Sequence, residues 1–278
     1  MFKERHLLIA TKHNKEKVIA PFFEKYLGVQ CFVAPDLDTD KLGTFTGEIE
    51  RKDDPITTAR NKCLMAMDLT GCDLVVASEG SFGPHPNIHF IPADDEFLIF
   101  IDKKNNLEII AREIVTETNL NGSEIKTEKE LQEFATNVKF PSHGLIIRKA
   151  KDDLEEIVKG ITDIGQLYTV FHQFVVKHGT AYIETDMRAM YNPTRMKVIE
   201  RATAKLVDKI MNRCPSCKMP GFGITDSIIG LPCEICKVPT YSTLSYIYTC
   251  QKCAFSIEKN YPNGKITEDP MYCNFCNP

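Results

Sequence analysis

Apolar and polar positions alternate with two different periods along the chain, and this alternation predicts an α/β fold. Short apolar runs of β-branched residues indicate strands, whereas apolar residues recurring every three or four positions indicate amphipathic helices. The predicted strands are 5–10, 30–35, 72–79, 88–92, 97–102, 107–116, 145–148, 244–249, a further one from Ala181, and an edge strand or flap at 44–52. The predicted helices are 15–27, 129–137, 152–159, 164–176 and two that open at Pro55 and at Asn192-Pro193. We therefore expect a mixed central sheet flanked by helices.

A short apolar run with β-branched residues predicts the central strand of this sheet. Residues 72–79 form that run, which stops at Glu79 before a segment rich in glycine and proline. Ligands of open α/β sheets collect outside the carboxyl ends of the strands, so Glu79 is placed to face a ligand or a metal ion. The alternative interpretation is that Glu79 is a solvated turn residue.

Composition narrows the class of protein. The 278 residues include 43% hydrophobic and 26% charged residues, as in ordinary soluble globular proteins, and the net charge of -4 gives no general attraction to nucleic acid. The apolar run near the amino terminus is too short for a signal peptide, and no run approaches the ~20 apolar residues of a membrane span. We expect a cytoplasmic protein with reduced thiols that does not associate with membranes.

Two segments of the amino-terminal half carry candidate phosphate-binding residues. Asn14 and Lys17 follow the first strand at the start of a helix, where free backbone amides suit a phosphate. Asn14 as an ordinary helix cap explains the same pattern. The helix that opens at Pro55 is preceded by Asp54 and carries 60–62 (Arg-Asn-Lys) on its first turns.

These segments, together with the strand that ends in Ser-Glu-Gly at 78–80, resemble the inosine/xanthosine triphosphatase superfamily over about the first 100 residues. The resemblance implies a magnesium-dependent hydrolase that converts nucleoside triphosphates to monophosphate and pyrophosphate. It implies that Glu79 and Asp54 hold Mg²⁺ as catalytic residues. It also implies a set of substrate-binding residues, Thr11, Asn14, Lys17, Arg60, Asn61 and Lys62. Two residues separate Thr11 from Asn14, where the superfamily has one.

Charged residues cluster at two further places. The acidic run 94–96 is either a solvated loop or a source of metal ligands. Asp186 and Arg188 lie just before the longest predicted helix, and Arg195 lies in its first turn. They form either an internal ion-pair cluster or part of the substrate site, because guanidinium groups suit phosphate. The whole chain, with this loop and the tail that follows it, resembles an uncharacterised bacterial family.

The cysteines divide the chain into an α/β domain at 1–212 and a small metal-binding domain at 213–278. Beyond residue 213 the tail contains four C-x-x-C pairs, and their spacing predicts two structural zinc sites with four thiolates each. The predicted ligands are Cys214, Cys217, Cys233, Cys236, Cys250, Cys253, Cys273 and Cys276. A tail this small needs the metal for its folding energy.

The pairing of the four C-x-x-C pairs has two candidate solutions. One joins the pairs at 233 and 250 as a zinc-ribbon hairpin and leaves those at 214 and 273 to each other. The other joins consecutive pairs along the chain. Zinc ribbons also suggest an alternative function, in which the protein senses a nucleotide and binds nucleic acid or a protein without catalysis, or uses the ribbon as a dimer interface.

Overall fold

A computed structural model describes residues 1–43 and 52–278. The chain divides into two compact units, Met1–Val207 and Asp208–Pro278. The predicted edge strand or flap at 44–52 lies, except for Lys52, outside the described residues. Among the described residues, none of the helices combines the length and hydropathy that crossing a membrane requires.

The larger sheet of the first unit mixes parallel and antiparallel pairing. Its strands are β1 (His6–Ala10), β2 (Gln30–Phe32), β3 (Leu74–Pro84), β4 (Pro92–Asp102) and β5 (Leu107–Val115). The spatial order is β2-β1-β3-β4-β5, with β1 parallel to both of its neighbours and the remaining pairs antiparallel. The carboxyl end of β1 lies beside Ala77 in the middle of β3, which positions the residues after Ala10 and Ala77 together.

Two helices cover opposite faces of this sheet. Helix α1 (Glu16–Leu27) places Phe23 against Phe100 of β4, with ring centroids 5.9 Å apart. Helix α2 (Pro55–Thr70) packs Ala59 and Cys63 into a cluster that contains Ile99, the neighbour of Phe100. Successive strand residues point to opposite faces, which explains how one strand serves both helices.

A second sheet and three helices complete the first unit. Its strands are β6 (Gly122–Ile125), β7 (Leu145–Arg148), β8 (Ile157–Ile161) and β9 (Ala181–Thr185), in the order β6-β9-β7-β8 with antiparallel pairing throughout. Helices α3 (Glu128–Asn137) and α4 (Ile164–His178) bury Leu131 and Phe171 in the core of this sheet. Helix α5 (Pro193–Met211) follows, and the amide of Arg195 donates to Asn192 Oδ1 at its start.

Three predicted elements are wrong. The segment 88–92 is not a strand, because 88–91 form a turn in which the amide of Ile91 donates to Ile88 O, and only Pro92 belongs to β4. The segment 152–159 is not a helix but a turn followed by β8, because Asp153 accepts the amides of Glu155 and Glu156 and the next residues pair with β7. The central strand does not stop at Glu79. It continues to Pro84, since the residues beyond Glu79 pair with the first half of β4.

The second unit is built on a three-stranded antiparallel sheet. Its strands are β10 (Gly223–Ile229), β11 (Thr243–Thr249) and β12 (Ser256–Asn260), with β11 in the centre. Most side chains of β10 are exposed, so this sheet buries little apolar surface. The described residues thus form a mixed α/β protein with five α-helices, three sheets and a small cysteine-rich carboxyl-terminal part, as the sequence predicts.

Candidate metal centres and a buried charge cluster

The eight cysteines of the second unit form two groups of four. Cys214 Sγ lies 3.7 Å from Cys253 Sγ, and Cys217 Sγ lies 3.6 Å from Cys250 Sγ. The other group is equivalent, with distances of 3.8 Å for Cys233–Cys276 and 3.5 Å for Cys236–Cys273. Four sulfurs around a tetrahedral zinc ion at ~2.3 Å lie about 3.8 Å apart. Both groups therefore have the geometry of a zinc centre.

Backbone hydrogen bonds close each of the four C-x-x-C turns, here called knuckles, that present the cysteine sulfurs. In the first knuckle the amide of Lys218 donates to Cys214 O, and Lys218 adopts a φ of 64° that closes the turn. Burial raises the pKa of Cys214, but the amide donors of Cys217 and Ser216 outweigh it and lower the pKa to about 7. In the same turn, the amide of Met219 lowers the pKa of Cys217, but burial and the neighbouring thiols outweigh it and raise the pKa to about 12. Each group offers four protein ligands to a metal ion, which is consistent with a closed structural zinc centre.

The observed pairing of cysteines corrects both sequence-based solutions. The knuckle at Cys214 shares a centre with that at Cys250, and the knuckle at Cys233 shares one with that at Cys273. The antiparallel sheet explains this arrangement, because the start of β10 lies beside the end of β11. Glu268 then fixes the last segment, since its amide donates to Pro232 O beside the third cysteine of the tail.

The first unit contains a cluster of buried charges where β3 passes the end of β1. Glu79 is 3% exposed and pairs with Lys62 of α2. On the other face of β3, Lys15 Nζ donates to Ser78 Oγ at 2.9 Å. Lys15 occupies the cap position of α1, and its ammonium group is buried at the carboxyl end of the parallel strands.

Arg195 and Glu96 extend this cluster along β3. Arg195 Nε donates to Glu96 Oε1 at 2.5 Å, and Nη1 donates to Met187 O at 2.6 Å. Both side chains are fully buried. Gly80 makes room for the pair, because a Cβ there would lie 2.6 Å from Arg195 Nη2 and closer still to Glu96 Oε1. The guanidinium carbon also lies 5.2 Å from the centre of the Phe82 ring.

Burial shifts the pKa values of two members of the cluster toward neutral pH. Burial lowers the pKa of Lys15 to about 7, and the positive charge of Arg195 adds to this effect. Burial also raises the pKa of Asp94 to about 8, and the neighbouring carboxylate of Glu96 acts in the same direction. Such shifts are typical of functional sites, although buried ion-pair networks also produce them.

A small concavity gives solvent access to part of this cluster. Its volume is ≈ 20 Å³, and it lies where the carboxyl end of β1 meets the middle of β3. Its described lining combines cations with hydroxyl groups and small residues, namely Ala10, Thr11, Lys12, His13, Lys15, Thr39, Gly43, Lys62 and Ser78. The set offers hydrogen-bond donors and positive charge, which suits an anionic ligand.

The structure brings some of the predicted site residues together. Thr11 and Lys62 line the concavity, and Glu79 joins it through Lys62. Arg195 belongs to the same charge cluster, since its charge acts on Lys15.

Other predicted site residues have different surroundings. Asp54 caps α2, because its side chain accepts hydrogen bonds from the amides of Ile56 and Thr57. Arg60 forms an ion pair with Glu108. The side-chain amide of Asn61 donates a hydrogen bond to Asp53. Asn14 adopts a φ of 59° before the cap, and Lys17 is exposed on α1. Asp186 is buried, and its carboxylate accepts hydrogen bonds from two nitrogens of the Arg188 guanidinium and from the amide of Gly160.

Sequence reasoning missed three members of the cluster. Lys15 looks like a surface residue in a polar segment, and Asp94 and Glu96 fall in an acidic run whose main interpretation was a solvated loop. The structure places 94–96 within β4 instead, with Asp94 1% exposed and Glu96 fully buried. Alternation in 94–101 was the available signal, because a strand there places Asp94 and Glu96 on the face of Leu98 and Phe100.

The fold and the cysteine centres define a mixed α/β protein with two sites for structural metal ions. A family model described as "Domain of unknown function (DUF6671)" matches residues 62–278, and the chain belongs to this family. The match includes Lys62, Glu79, Glu96, Arg195 and the cysteine tail but not Lys15. None of the curated proteins matches the chain.

Among solved structures, protein VC0702 from Vibrio cholerae resembles this chain weakly. The two are 11% identical, and the alignment covers 75% of this chain and 96% of that protein with a TM-score of 0.34. A TM-score this low does not establish a shared fold.

Proposed function

We propose that the first unit binds the phosphate chain of a nucleoside triphosphate and hydrolyses it with Mg²⁺, releasing pyrophosphate. The observation that carries this proposal is the convergence of Lys15 and Lys62 on one concavity that Thr11 and Ser78 also line. Two ammonium groups and two hydroxyl groups can bind phosphate oxygens. The sequence resemblance to the inosine/xanthosine triphosphatase superfamily supports the reaction class.

Binding of a phosphate would compensate the unfavourable burial of Lys15. Its lowered pKa reflects an ammonium group that lacks sufficient negative charge around it. An anion in the concavity would favour the protonated amine and so bind more tightly than it would to a surface lysine. Lys62 already pairs with Glu79, which keeps its ammonium group beside the concavity.

Glu79 is the candidate general base in this proposal. A water molecule would attack the α-phosphorus, its proton would pass to the Glu79 carboxylate, and the bond from the α-phosphorus to the bridging oxygen would break as pyrophosphate leaves. Mg²⁺ supplies charge neutralisation on the phosphates when bound. Asp54, the second acid implied by the resemblance, caps α2 and is exposed, so we assign it no step.

Pyrophosphate release from a panel of purine nucleoside triphosphates, including deaminated bases, tests this proposal. We expect wild-type protein with Mg²⁺ to hydrolyse at least one member and Glu79→Gln to lose about 100-fold or more of the rate, as expected for loss of a general base. Lys25→Gln is the control, because Lys25 is exposed in the last turn of α1, and it should retain activity. A wild-type protein that is inactive across the panel would contradict the proposal.

The alternative without catalysis, in which the tail binds nucleic acid, has less support. Lys218 Nζ and Lys237 Nζ donate to Pro215 O and Glu234 O, the carbonyls of their own knuckles. These two lysines therefore stabilise the metal centres and do not form a basic track along β10–β12. Phosphate-dominated binding requires such a track.

A further inference from the structure

Two carboxylates of β4 share one buried face of the larger sheet. Asp94 lies opposite Phe82 and Glu96 lies opposite Gly80 in the β3–β4 register, so both side chains point to the face that Arg195 covers. Both residues are at most 1% exposed. Asp95, between them, points to the other face and pairs with Arg112.

Each of these two carboxylates has a buried oxygen without a hydrogen-bond partner among the described residues. These atoms are Asp94 Oδ1 and Glu96 Oε2. The other oxygen of Glu96 accepts from Arg195, whereas Oε2 receives nothing. Buried carboxylate oxygens almost always have a partner, and leaving one unpaired is unfavourable. Two such atoms, two residues apart on one strand face, indicate a missing partner that both could share.

We propose that Asp94 and Glu96 bind a divalent cation of the Mg²⁺ or Mn²⁺ class through these two oxygens. Hard cations of this kind take carboxylate oxygens and complete their coordination with water or with oxygens of a ligand. A cation would satisfy both unpaired oxygens with one partner. This inference does not rest on nucleotide hydrolysis, since it follows from the two carboxylates alone.

Arg195 is a positioning residue for this site. Its bonds to Glu96 Oε1 and to Met187 O hold the Glu96 carboxylate in one orientation. Its positive charge also offsets one of the two carboxylate charges, which permits both acids to remain buried before a cation binds. Gly80 provides the space that this arrangement needs.

Titration of the full-length, zinc-loaded protein with Mn²⁺, followed by electron paramagnetic resonance of the free ion, tests the proposal. Zinc in the cysteine centres keeps those thiolates from competing. We expect one Mn²⁺ per chain that Mg²⁺ displaces, and a loss of affinity of about 10-fold or more in Asp94→Asn and in Glu96→Gln. Asp95→Asn, the matched control on the opposite face, should bind Mn²⁺ as wild type does.

Asp94→Asn is the decisive variant, because asparagine has the shape of the acid and keeps the Glu96–Arg195 pair. Circular dichroism and zinc content verify that it folds. The proposal is overturned if wild-type protein binds no Mn²⁺ at millimolar concentration, if Asp94→Asn binds as wild type does, or if Asp95→Asn loses as much affinity. Bound Mn²⁺ that depends on Asp94, in a protein that releases no pyrophosphate, would refute the proposed hydrolysis and support this site.

Discussion

The cysteine centres and the buried charge cluster hold their parts of the molecule together in different ways. Each centre presents four cysteine sulfurs from two short turns, and one metal ion could bind all of them. The charge cluster uses single residues of α2, β3, β4 and α5, which form the ion pairs Lys62–Glu79 and Arg195–Glu96, together with Lys15 at the cap of α1, which donates to Ser78. In the centres the stabilising partner comes from solution. In the cluster it must come from the chain, and two carboxylate oxygens lack it.

This difference predicts different responses to the loss of one group. A zinc centre fails as a whole, because the metal contributes most of the folding free energy of a small sheet with little buried apolar surface. A buried ion pair fails locally, because the remaining partner is left as an uncompensated charge.

The largest expected effect is the loss of a zinc centre. Structural zinc contributes about 10–16 kcal/mol to the folding of small domains, so Cys214→Ser should unfold the part of the tail around that centre. The double variant Cys214→Ser/Cys250→Ser should lose one zinc ion per chain, as the single variant does, because both residues belong to one centre. Zinc content after dialysis, by atomic emission, measures this.

Cys214→Ser/Cys233→Ser is the control for this pairing and should lose both zinc ions. Pairing of consecutive knuckles would reverse the two results. Pairing of the knuckle at Cys233 with that at Cys250 would remove both ions in each double variant. One ion retained in Cys214→Ser/Cys250→Ser is therefore the outcome specific to the observed arrangement.

The next effect is the loss of Arg195. Arg195→Met leaves Glu96 buried without its partner, and breaking a buried pair in this way destabilises by about 3–5 kcal/mol. Arg112→Met is the matched control, because Arg112 pairs with the adjacent Asp95 at the surface, where such pairs contribute about 1 kcal/mol or less. The chain has no tryptophan whose fluorescence could report unfolding. Hydrogen exchange of the β3 and β4 amides is therefore the suitable measurement of the lost stability.

A second variant separates charge burial from a general packing defect. In Arg195→Met/Glu96→Leu the pair is replaced by apolar residues, which is often neutral or stabilising for buried ion pairs. We expect the double variant to recover most of the lost protection. Equal protection in Arg195→Met and Arg112→Met would show that the pair contributes nothing beyond a surface contact.

The same contrast explains how much of the molecule the sequence could predict. Cysteine spacing alone gave eight ligands in two centres, because both members of a knuckle lie within four residues. The pairing of knuckles failed since it depends on β10 and β12, which the sequence pattern did not reveal. Helix α2 was predicted from Asp54 and Pro55, which act as cap and first residue as expected.

The charge cluster was only partly predictable, because its contacts join residues up to 99 positions apart. Glu79 and Lys62 were identified through short motifs. Lys15 and Glu96 belong to no motif, and their burial depends on how α1 and α5 pack on β3 and β4. Sequence periodicity gives the face of a strand, but it does not show which helix later covers that face.

The smallest expected effect concerns Lys15 and depends on pH. Its pKa is lowered from 10.5 to about 7 in the folded state, so between these values the unfolded chain binds more protons, and the free energy of unfolding rises with pH. Lys15→Met removes this dependence and should stabilise β3 by on the order of 3 kcal/mol at pH 7, and by little near pH 10.

Lys17→Met, on the exposed side of α1, should match wild type at both values. Hydrogen exchange of the β3 amides, compared between variants at each pH, measures the difference. A Lys15→Met effect that is the same at pH 7 and near pH 10 would contradict a buried ammonium group as its cause, and would assign it to the lost bond to Ser78.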